Sequence, residues 1–369
     1  MRCNLITLLI LLAGTSAHAG VYGRLEKLPP IPDTHRSIRL LLGELRDAET
    51  HDSVRPVVSG SLRAEFLALR ERLKTTPPNG PTADLMDLGV CELRLGQPEK
   101  AREILEALLS RVPPEAPERF QILANLATTY LALGSRGLGR DFLERAYLIQ
   151  IQALKAWPDN VAKAPAGWTL PTWRFLLHAE RLQLKLMRGR LLEATASAPG
   201  TDLNQAGPDS VFEGPLFADG DAYRAGPAGR AIWEMLPEDA TDLIRQLVVW
   251  MPLDNRVYWL LGEVNNASGE TDEARRILEE LANARQMRHV RLLGRHLEVL
   301  KHTPPQTVAT DNGGPPTTAD QGPPGDPPPQ PELTVNLGSF WRIFLVGIAT
   351  GAMGSVLIRW QLASLRSRR

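Results

Sequence analysis

The feature that most constrains the fold is a pair of amphipathic stretches joined by a short break, between residues 83 and 113. Apolar residues recur at helical spacing on both sides of the break at Gly96. Pro98 stands where a new helix tolerates proline, in its first turn, and Pro113 ends the second stretch. The pattern predicts two antiparallel helices. One hairpin of this kind cannot bury both of its apolar faces, so it requires similar neighbours.

The hairpin pattern recurs along the chain, with clear copies near residues 82–115, 120–153 and 255–288. The first and last copies agree residue for residue in the spacing of their small residues: Gly89, Gly96 and Ala101 in one, and Gly262, Gly269 and Ala274 in the other. In the middle copy Gly134 takes the place of the turn glycine, but Gly139 stands where the alanine is expected.

This arrangement resembles the tetratricopeptide repeat (TPR) family, whose unit is a helix–turn–helix of about 34 residues. Gly89 and Gly262 match the family's small residue in the first helix, and Ala101 and Ala274 match the one in the second helix. The resemblance implies an all-α fold over residues 20–302, built as a TPR-like helical-hairpin solenoid in which degenerate hairpins accompany the clear copies.

The resemblance also implies a function, because TPR proteins generally bind proteins or peptides on the concave side of the array, through the first helix of each hairpin. The chain is then expected to be a non-enzymatic scaffold, with a partner-binding groove formed by exposed side chains of the first helices. These candidate groove residues are Arg94, Gln121, Asn125, Thr128, Arg256, Trp259, Glu263 and Asn266.

The common catalytic and metal-binding motifs do not occur in the sequence, among them His-Glu-x-x-His, Cys-x-x-Cys, Gly-x-Ser-x-Gly and the Walker loop. His289 and His296 are seven residues apart, but two histidines do not complete a zinc site. We therefore expect no catalytic residue, no metal and no cofactor. The alternative is an envelope enzyme whose site lies in the irregular segment 196–226, around Asp219 and Asp221.

The N-terminus has the features of a secretory signal peptide. Arg2 precedes an apolar run over residues 5–12, and small residues lead to an expected cleavage site after Ala19. Residues 1–19 are therefore predicted to direct export. Of the two cysteines, Cys3 lies in this signal and Cys91 on an apolar helix face. An exported chain without an internal disulfide fits a bacterial envelope.

The C-terminal part of the chain changes character twice. Residues 303–336 are predicted to be a disordered Pro-rich linker, since 10 of the 28 residues 304–331 are proline and such a stretch cannot bury a core. Residues 337–362 are predicted to be a single transmembrane helix. Its apolar stretch, residues 340–358, contains one charge and reaches about 28 Å, enough for a bilayer core.

Charge sets the expected topology. The tail, residues 363–369, carries three arginines and is predicted to be cytoplasmic, so the repeats lie on the periplasmic side of a bacterial inner membrane.

The part of the chain between the two ends contains 36 basic and 42 acidic residues. This excess of negative charge disfavours nucleic acid as a partner. Gly347 and Gly351 form a small-xxx-small pair, so a structural, self-associating membrane protein is a further alternative.

Overall fold

The structure is a computed structural model that describes residues 21–26, 35–50, 56–135, 139–165, 167–198, 236–284 and 289–302, together with residues 203, 207–212, 223–226 and 287. All of them lie in the first of the chain's two units, residues 1–307. The predicted signal peptide, linker, transmembrane helix and basic tail lie outside the described residues, as do Asp219, Asp221, Gly347 and Gly351. Within the described residues, no helix is both long enough and apolar enough to cross a membrane.

The regular structure of the described residues is all-helical, as predicted. Its α-helices are α1 (His35–Thr50), α2 (Leu62–Leu73), α3 (Thr82–Arg94), α4 (Pro98–Leu109), α5 (Arg119–Leu133), α6 (Arg140–Lys155), α7 (Leu170–Ala196), α8 (Ala240–Trp250), α9 (Asn255–Ala267), α10 (Thr271–Ala284) and α11 (Val290–Lys301). A 3-10 turn, Val161–Lys163, precedes α7.

Local sequence explains where several helices begin. The Ser61 hydroxyl accepts a hydrogen bond from the main-chain N–H of Ala64 at the start of α2, and the Asp254 carboxylate does the same for Val257 in α9. Pro98 is the first residue of α4, where its missing N–H costs nothing.

The predicted hairpins correspond to α3 with α4, α5 with α6, and α9 with α10, each pair packed together. Gly96 and Gly269 both take a positive φ, at 73° and 94°, in the turns of the first and last pairs. A Cβ at Gly96 would also lie 2.2 Å from the main-chain oxygen of Glu49. Gly134, in contrast, has a φ of −66° at the end of α5, and Gly139 takes the positive φ before α6. The middle turn is therefore built differently.

The small residues of the first helices stand at close helix–helix contacts. A Cβ at Gly89 would lie 2.8 Å from Leu105 Cγ in α4, and one at Gly262 would lie 2.4 Å from Leu278 Cδ1 in α10. Both leucines are fully buried. In these two hairpins, glycine thus lets the helices pack more closely than alanine would allow.

The start of the array packs against its later part. Helix α1 contacts α8 as well as α2 and α3. Arg46 of α1 donates to the main-chain oxygen of Pro252 at 2.8 Å and to Glu280 Oε1 at 2.7 Å, and its guanidinium lies 4.5 Å from the centre of the Tyr258 ring. These contacts join residues more than 200 positions apart in the sequence.

Candidate functional site

The predicted groove residues come together on the first helices α3, α5 and α9, but they do not face solvent. Each is at most 6 % exposed: Arg94, Gln121, Asn125, Thr128, Arg256, Trp259, Glu263 and Asn266. We expected exposed side chains, and the structure differs on this point; the role of these residues in partner binding stays a prediction. These side chains are buried because two irregular segments of the chain, together with the helices α7 and α11, pack on this inner face of the first helices.

Two segments cover the inner face. The N-terminal segment consists of residues 21–26, and the middle segment consists of the described residues 203, 207–212 and 223–226. In the N-terminal segment, Val21 and Tyr22 have no exposed surface; in the middle segment, Leu203 and Tyr223 are almost completely buried. Both segments therefore pack on the face of the first helices that carries predicted groove residues.

Asn125 on α5 binds the main chain of the N-terminal segment. Its side-chain Nδ2 donates to the oxygen of Tyr22 at 3.0 Å, while its Oδ1 accepts from the N–H of the same residue. Both main-chain groups of Tyr22 are thus satisfied by one amide. A buried main chain needs such partners, because an unpaired donor or acceptor in the interior is costly.

The Tyr22 side chain occupies a specific pocket. Its hydroxyl donates to Glu180 Oε1 of α7 at 2.8 Å, and Gln150 of α6 donates to the other oxygen of that carboxylate at 2.5 Å. The ring meets Phe120 edge-on, with centroids 5.3 Å apart, and stacks near Trp168 at 6.1 Å. The pocket therefore recognises both the aromatic ring and the phenol group.

Asp87 on α3 binds the next part of the N-terminal segment. Its Oδ1 accepts from the main-chain N–H of Arg24 at 2.8 Å, and its Oδ2 accepts from the Arg24 guanidinium. Burial raises the pKa of Asp87 despite the opposing effect of Arg24. Gly23 lies against the same helix, where a Cβ would be 3.0 Å from Val90 Cγ1. A larger residue at position 23 would press on Val90.

Arg94 at the end of α3 holds the last residue of the segment. Its Nε and NH2 donate to the two oxygens of Glu26 at 2.8 and 2.7 Å, and its NH1 donates to Glu49 at 3.2 Å. Burial alone would lower the pKa of Arg94, but the Glu26 and Glu49 carboxylates outweigh it and raise the pKa. The guanidinium is therefore charged, and the bidentate pair fixes Glu26 in place.

Asn266 on α9 binds the main chain of the middle segment, as Asn125 binds the main chain of the N-terminal segment. Its Nδ2 donates to the main-chain oxygen of Arg224 at 2.9 Å, and its Oδ1 accepts from the N–H of Gly226 at 2.9 Å. The same Nδ2 also lies 3.1 Å from the hydroxyl of Tyr223. Two asparagines of the candidate groove thus bind main chain of the protein itself.

Glu263 on α9 is the centre of a buried polar cluster. Its carboxylate accepts from the Tyr223 hydroxyl at 2.8 Å and from Trp259 Nε1 at 2.7 Å. His296 Nδ1 of α11 lies 2.7 Å from Glu263 Oε1, and its ring stacks on Tyr223 at 3.7 Å. Burial, together with the Glu263 charge, raises the pKa of Tyr223. His289, in contrast, is exposed, so the two histidines do not form a pair.

A second buried cluster holds the middle segment by charge. Arg190 of α7 donates to Asp209 Oδ2 at 2.6 Å and to Asp254 Oδ1 at 2.9 Å, and Arg256 lies 3.0 Å from Asp209 Oδ1. Burial alone would raise the pKa of Asp254, but Arg190 outweighs burial and lowers it. Asp209 is therefore part of a buried cluster that holds the middle segment in place. It does not support the alternative of an enzyme site in residues 196–226.

The remaining two groove residues lie on α5. Thr128 accepts a hydrogen bond from Gln183 Nε2 of α7 at 2.9 Å, which ties α5 to α7. Gln121 lines an open cleft between residues 114–118 and residues 155–165, with a volume of about 790 Å³.

Sequence reasoning missed Glu26, Glu180, Arg190 and Asp209, all of which are buried. The pair Tyr22 and Glu180 is separated by 158 positions, so no local pattern marks it. Glu180 and Arg190 are charged residues within the helix α7, and this was their only sequence signal; Glu26 and Asp209 lie in irregular segments, where no such signal exists. In the part of the chain that the structure describes, no group of three or more His, Cys, Asp or Glu side chains is arranged to hold a metal ion.

Comparison with known proteins supports the repeat class. Two tetratricopeptide repeat family models match the chain, one over residues 85–114 and the other over residues 255–280. They cover α3 with α4 and α9 with most of α10. No curated protein and no solved structure matches the chain. Repeats of this class generally serve protein–protein interaction, and they are generally not enzymatic.

Proposed function

We propose that the protein is a non-enzymatic, membrane-anchored scaffold that binds protein or peptide partners on the extracytoplasmic side of a bacterial inner membrane. The helical array, residues 20–302, is the binding part. Residues 303–336 keep it away from the lipid, and residues 337–362 form the anchor.

The observation that carries the binding proposal is that the inner face already binds irregular main chain. Asp87 and Asn125 hold the N-terminal segment through main-chain groups, and Asn266 holds residues 224 and 226 in the same way. Main-chain contacts of this kind give affinity for an extended peptide without fixing its sequence. The match of two hairpins to TPR models supports the same class of function.

The location is proposed from the sequence of the two ends. Residues 1–19 have the pattern of an export signal, and residues 340–358 have the length and apolarity of a membrane span. The arginines after residue 362 favour a cytoplasmic tail.

Cysteine labelling tests this topology in a background where Cys91 is buried. Ser59→Cys lies in an exposed loop of the array, and Ser367→Cys lies in the tail. A membrane-impermeant maleimide is expected to label the first variant in intact spheroplasts and the second only after permeabilisation. Labelling of Ser367→Cys in intact spheroplasts, or recovery of the chain in the soluble fraction, would contradict the proposed anchor.

Affinity isolation of the full chain from crosslinked membranes tests the scaffold. The matched control keeps the anchor and linker but carries an unrelated soluble domain in place of residues 20–302. We expect at least one protein to be enriched over this control and to bind the purified chain directly. If nothing is enriched over the control, the array does not act as a scaffold.

A further inference from the structure

We infer that the N-terminal segment occupies a peptide-binding site, and that a partner segment with the pattern apolar-Tyr-Gly-x-x-Glu exchanges with it. The inference rests on the proposed scaffold function and deepens it, because it names the class of ligand that the inner face takes. The chain's own residues 21–26 fill the site when no partner is bound.

The site binds main chain without regard to sequence at two points. Asn125 binds the N–H and the oxygen of Tyr22, and Asp87 binds the N–H of Arg24. The two side chains come from the first helices of successive hairpins. They bind alternate residues of the segment, Tyr22 and Arg24.

Three further contacts depend on the identity of a residue in the N-terminal segment. The Tyr22 hydroxyl reaches Glu180, Gly23 fits against Val90 because it lacks a Cβ, and the Glu26 carboxylate meets Arg94 in a bidentate pair. The main-chain N–H of Glu26 donates to the oxygen of Gly23 at 3.0 Å, so the segment turns between the tyrosine and the glutamate. The spacing of tyrosine, glycine and glutamate is therefore part of what the site recognises.

The N-terminal segment is better suited to exchange than the middle one. The middle segment connects two described helices, α7 and α8, so its displacement strains the chain on both sides. The N-terminal segment is joined to one described helix, α1. The Arg24 side chain is 38 % exposed, so the site opens to solvent at this residue.

The expected exchange partner is another protein and not a second copy of this chain. A tethered segment competes at an effective concentration in the millimolar range. A second copy has the same residues 21–26, so its binding only replaces identical contacts. It loses translational and rotational freedom in addition. A partner binds the site more tightly than the tethered segment only when it makes additional contacts outside the pattern. A different protein can supply such contacts.

A cut between the segment and α1 makes the inference testable with the full chain. A protease site is placed within residues 27–34, and the purified protein is cleaved after it has folded. A fluorescent peptide of residues 20–27 is then added, and its binding is followed by anisotropy and gel filtration. Helix content by circular dichroism verifies that the cleaved chain keeps its fold.

We expect the peptide to replace the cleaved segment and to bind the uncut chain more weakly by on the order of a hundredfold, because the tether is intact there. Peptides with Tyr22→Phe or Glu26→Gln lose a hydrogen bond to a charged group and are expected to bind roughly tenfold more weakly or worse. A scrambled peptide of the same composition is the matched control.

Equal binding of the scrambled peptide, or no exchange into a cleaved chain that remains folded, overturns the inference. A mixed dimer that is formed by isotopically distinct copies of the uncut chain and is lost on deletion of residues 21–26 would assign the site to a second copy and overturn it as well. If the array still captures a partner from membranes while the peptide fails to exchange, the scaffold function stands and binding uses another surface. If both experiments fail, the scaffold function falls too.

Discussion

Asp87 and Asn125 occupy equivalent positions in successive repeats, and they bind alternate residues of the same segment. Each stands two residues before the small residue of its helix, Gly89 or Ala127, and each accepts a main-chain N–H through Oδ1, from Arg24 and Tyr22 respectively. The repeat of the helices is thus matched by a repeat of the contacts. Equivalent side chains of two repeats thus hold the main chain of the N-terminal segment.

The first prediction concerns the Asn125 amide. Asn125→Ala removes both partners of the buried Tyr22 main chain and is expected to lower the free energy of unfolding by about 1–3 kcal/mol. Urea denaturation measures the change. Asn79→Ala, in an exposed turn, is the control and should alter stability by less than about 0.5 kcal/mol. Equal effects at the two positions would show that the Tyr22 contact contributes nothing.

The second prediction concerns the helix contacts at glycine. Gly262→Ala places a Cβ 2.4 Å from Leu278 Cδ1, so the gain in helix propensity is outweighed and the protein is expected to lose about 1–3 kcal/mol. Gly294→Ala in α11 meets nothing within 4 Å and should instead stabilise by up to about 1 kcal/mol. Thermal denaturation shows whether each variant is more or less stable than the wild type. Stabilisation by both changes would rule out a close contact at Gly262.

The third prediction concerns pH. The lowered pKa of Asp254 means that its pair with Arg190 stabilises the fold above the ordinary carboxyl value of 3.8, and that this contribution disappears as the pH falls through the lower, folded value. Asp254→Asn leaves Arg190 with one carboxylate fewer and is expected to cost about 3–5 kcal/mol at pH 7.

The pH dependence separates this effect from a loss of packing. The difference between the wild type and Asp254→Asn should shrink as the pH falls from the ordinary carboxyl value of 3.8 toward the lower pKa of the folded state, because protonation then favours the unfolded chain. Asp272→Asn, in a half-exposed pair on α10, should change stability by less than about 0.5 kcal/mol at either pH. A difference that stays constant from pH 7 to pH 3 would count against the charge interaction.

The fourth prediction concerns Cys91. The thiol is buried on α3, and burial raises its pKa, so the reactive thiolate is scarce in the folded state. The native chain should therefore react with a maleimide at pH 8 at least about a hundredfold more slowly than Ser59→Cys does at its exposed position. In denaturant the two rates should converge. Rapid labelling of native Cys91 would show that α3 is open to solvent.

The hairpins were predictable because their signals are local. Gly96 and Gly269 mark turns by a conformation that few other residues adopt, and the apolar spacing around them fixes which faces are buried. The same signal misled at Gly134, which lies in a helical conformation while Gly139 takes the positive φ. A local pattern places the hairpin but not the details of an irregular turn.

The burial of the groove was not predictable, because it depends on segments that are distant in sequence. Trp259 and Glu263 have the spacing of an inner helix face, and the sequence identified them as such. Tyr223 and His296 pack against these two residues, and Tyr22 packs against α5. Periodicity assigns a side chain to a face, but it does not reveal what lies against that face.

Hydrogen–deuterium exchange of the N-terminal segment shows whether the inner face holds the chain's own peptide. An unbound segment before the first helix exchanges at the intrinsic rate of an unfolded peptide. We expect the amides of Tyr22 and Arg24, bound by Asn125 and Asp87, to exchange at least about a hundredfold more slowly, and Asn125→Ala to abolish the protection of Tyr22. Exchange of both amides at the intrinsic rate in the intact chain would contradict this expectation.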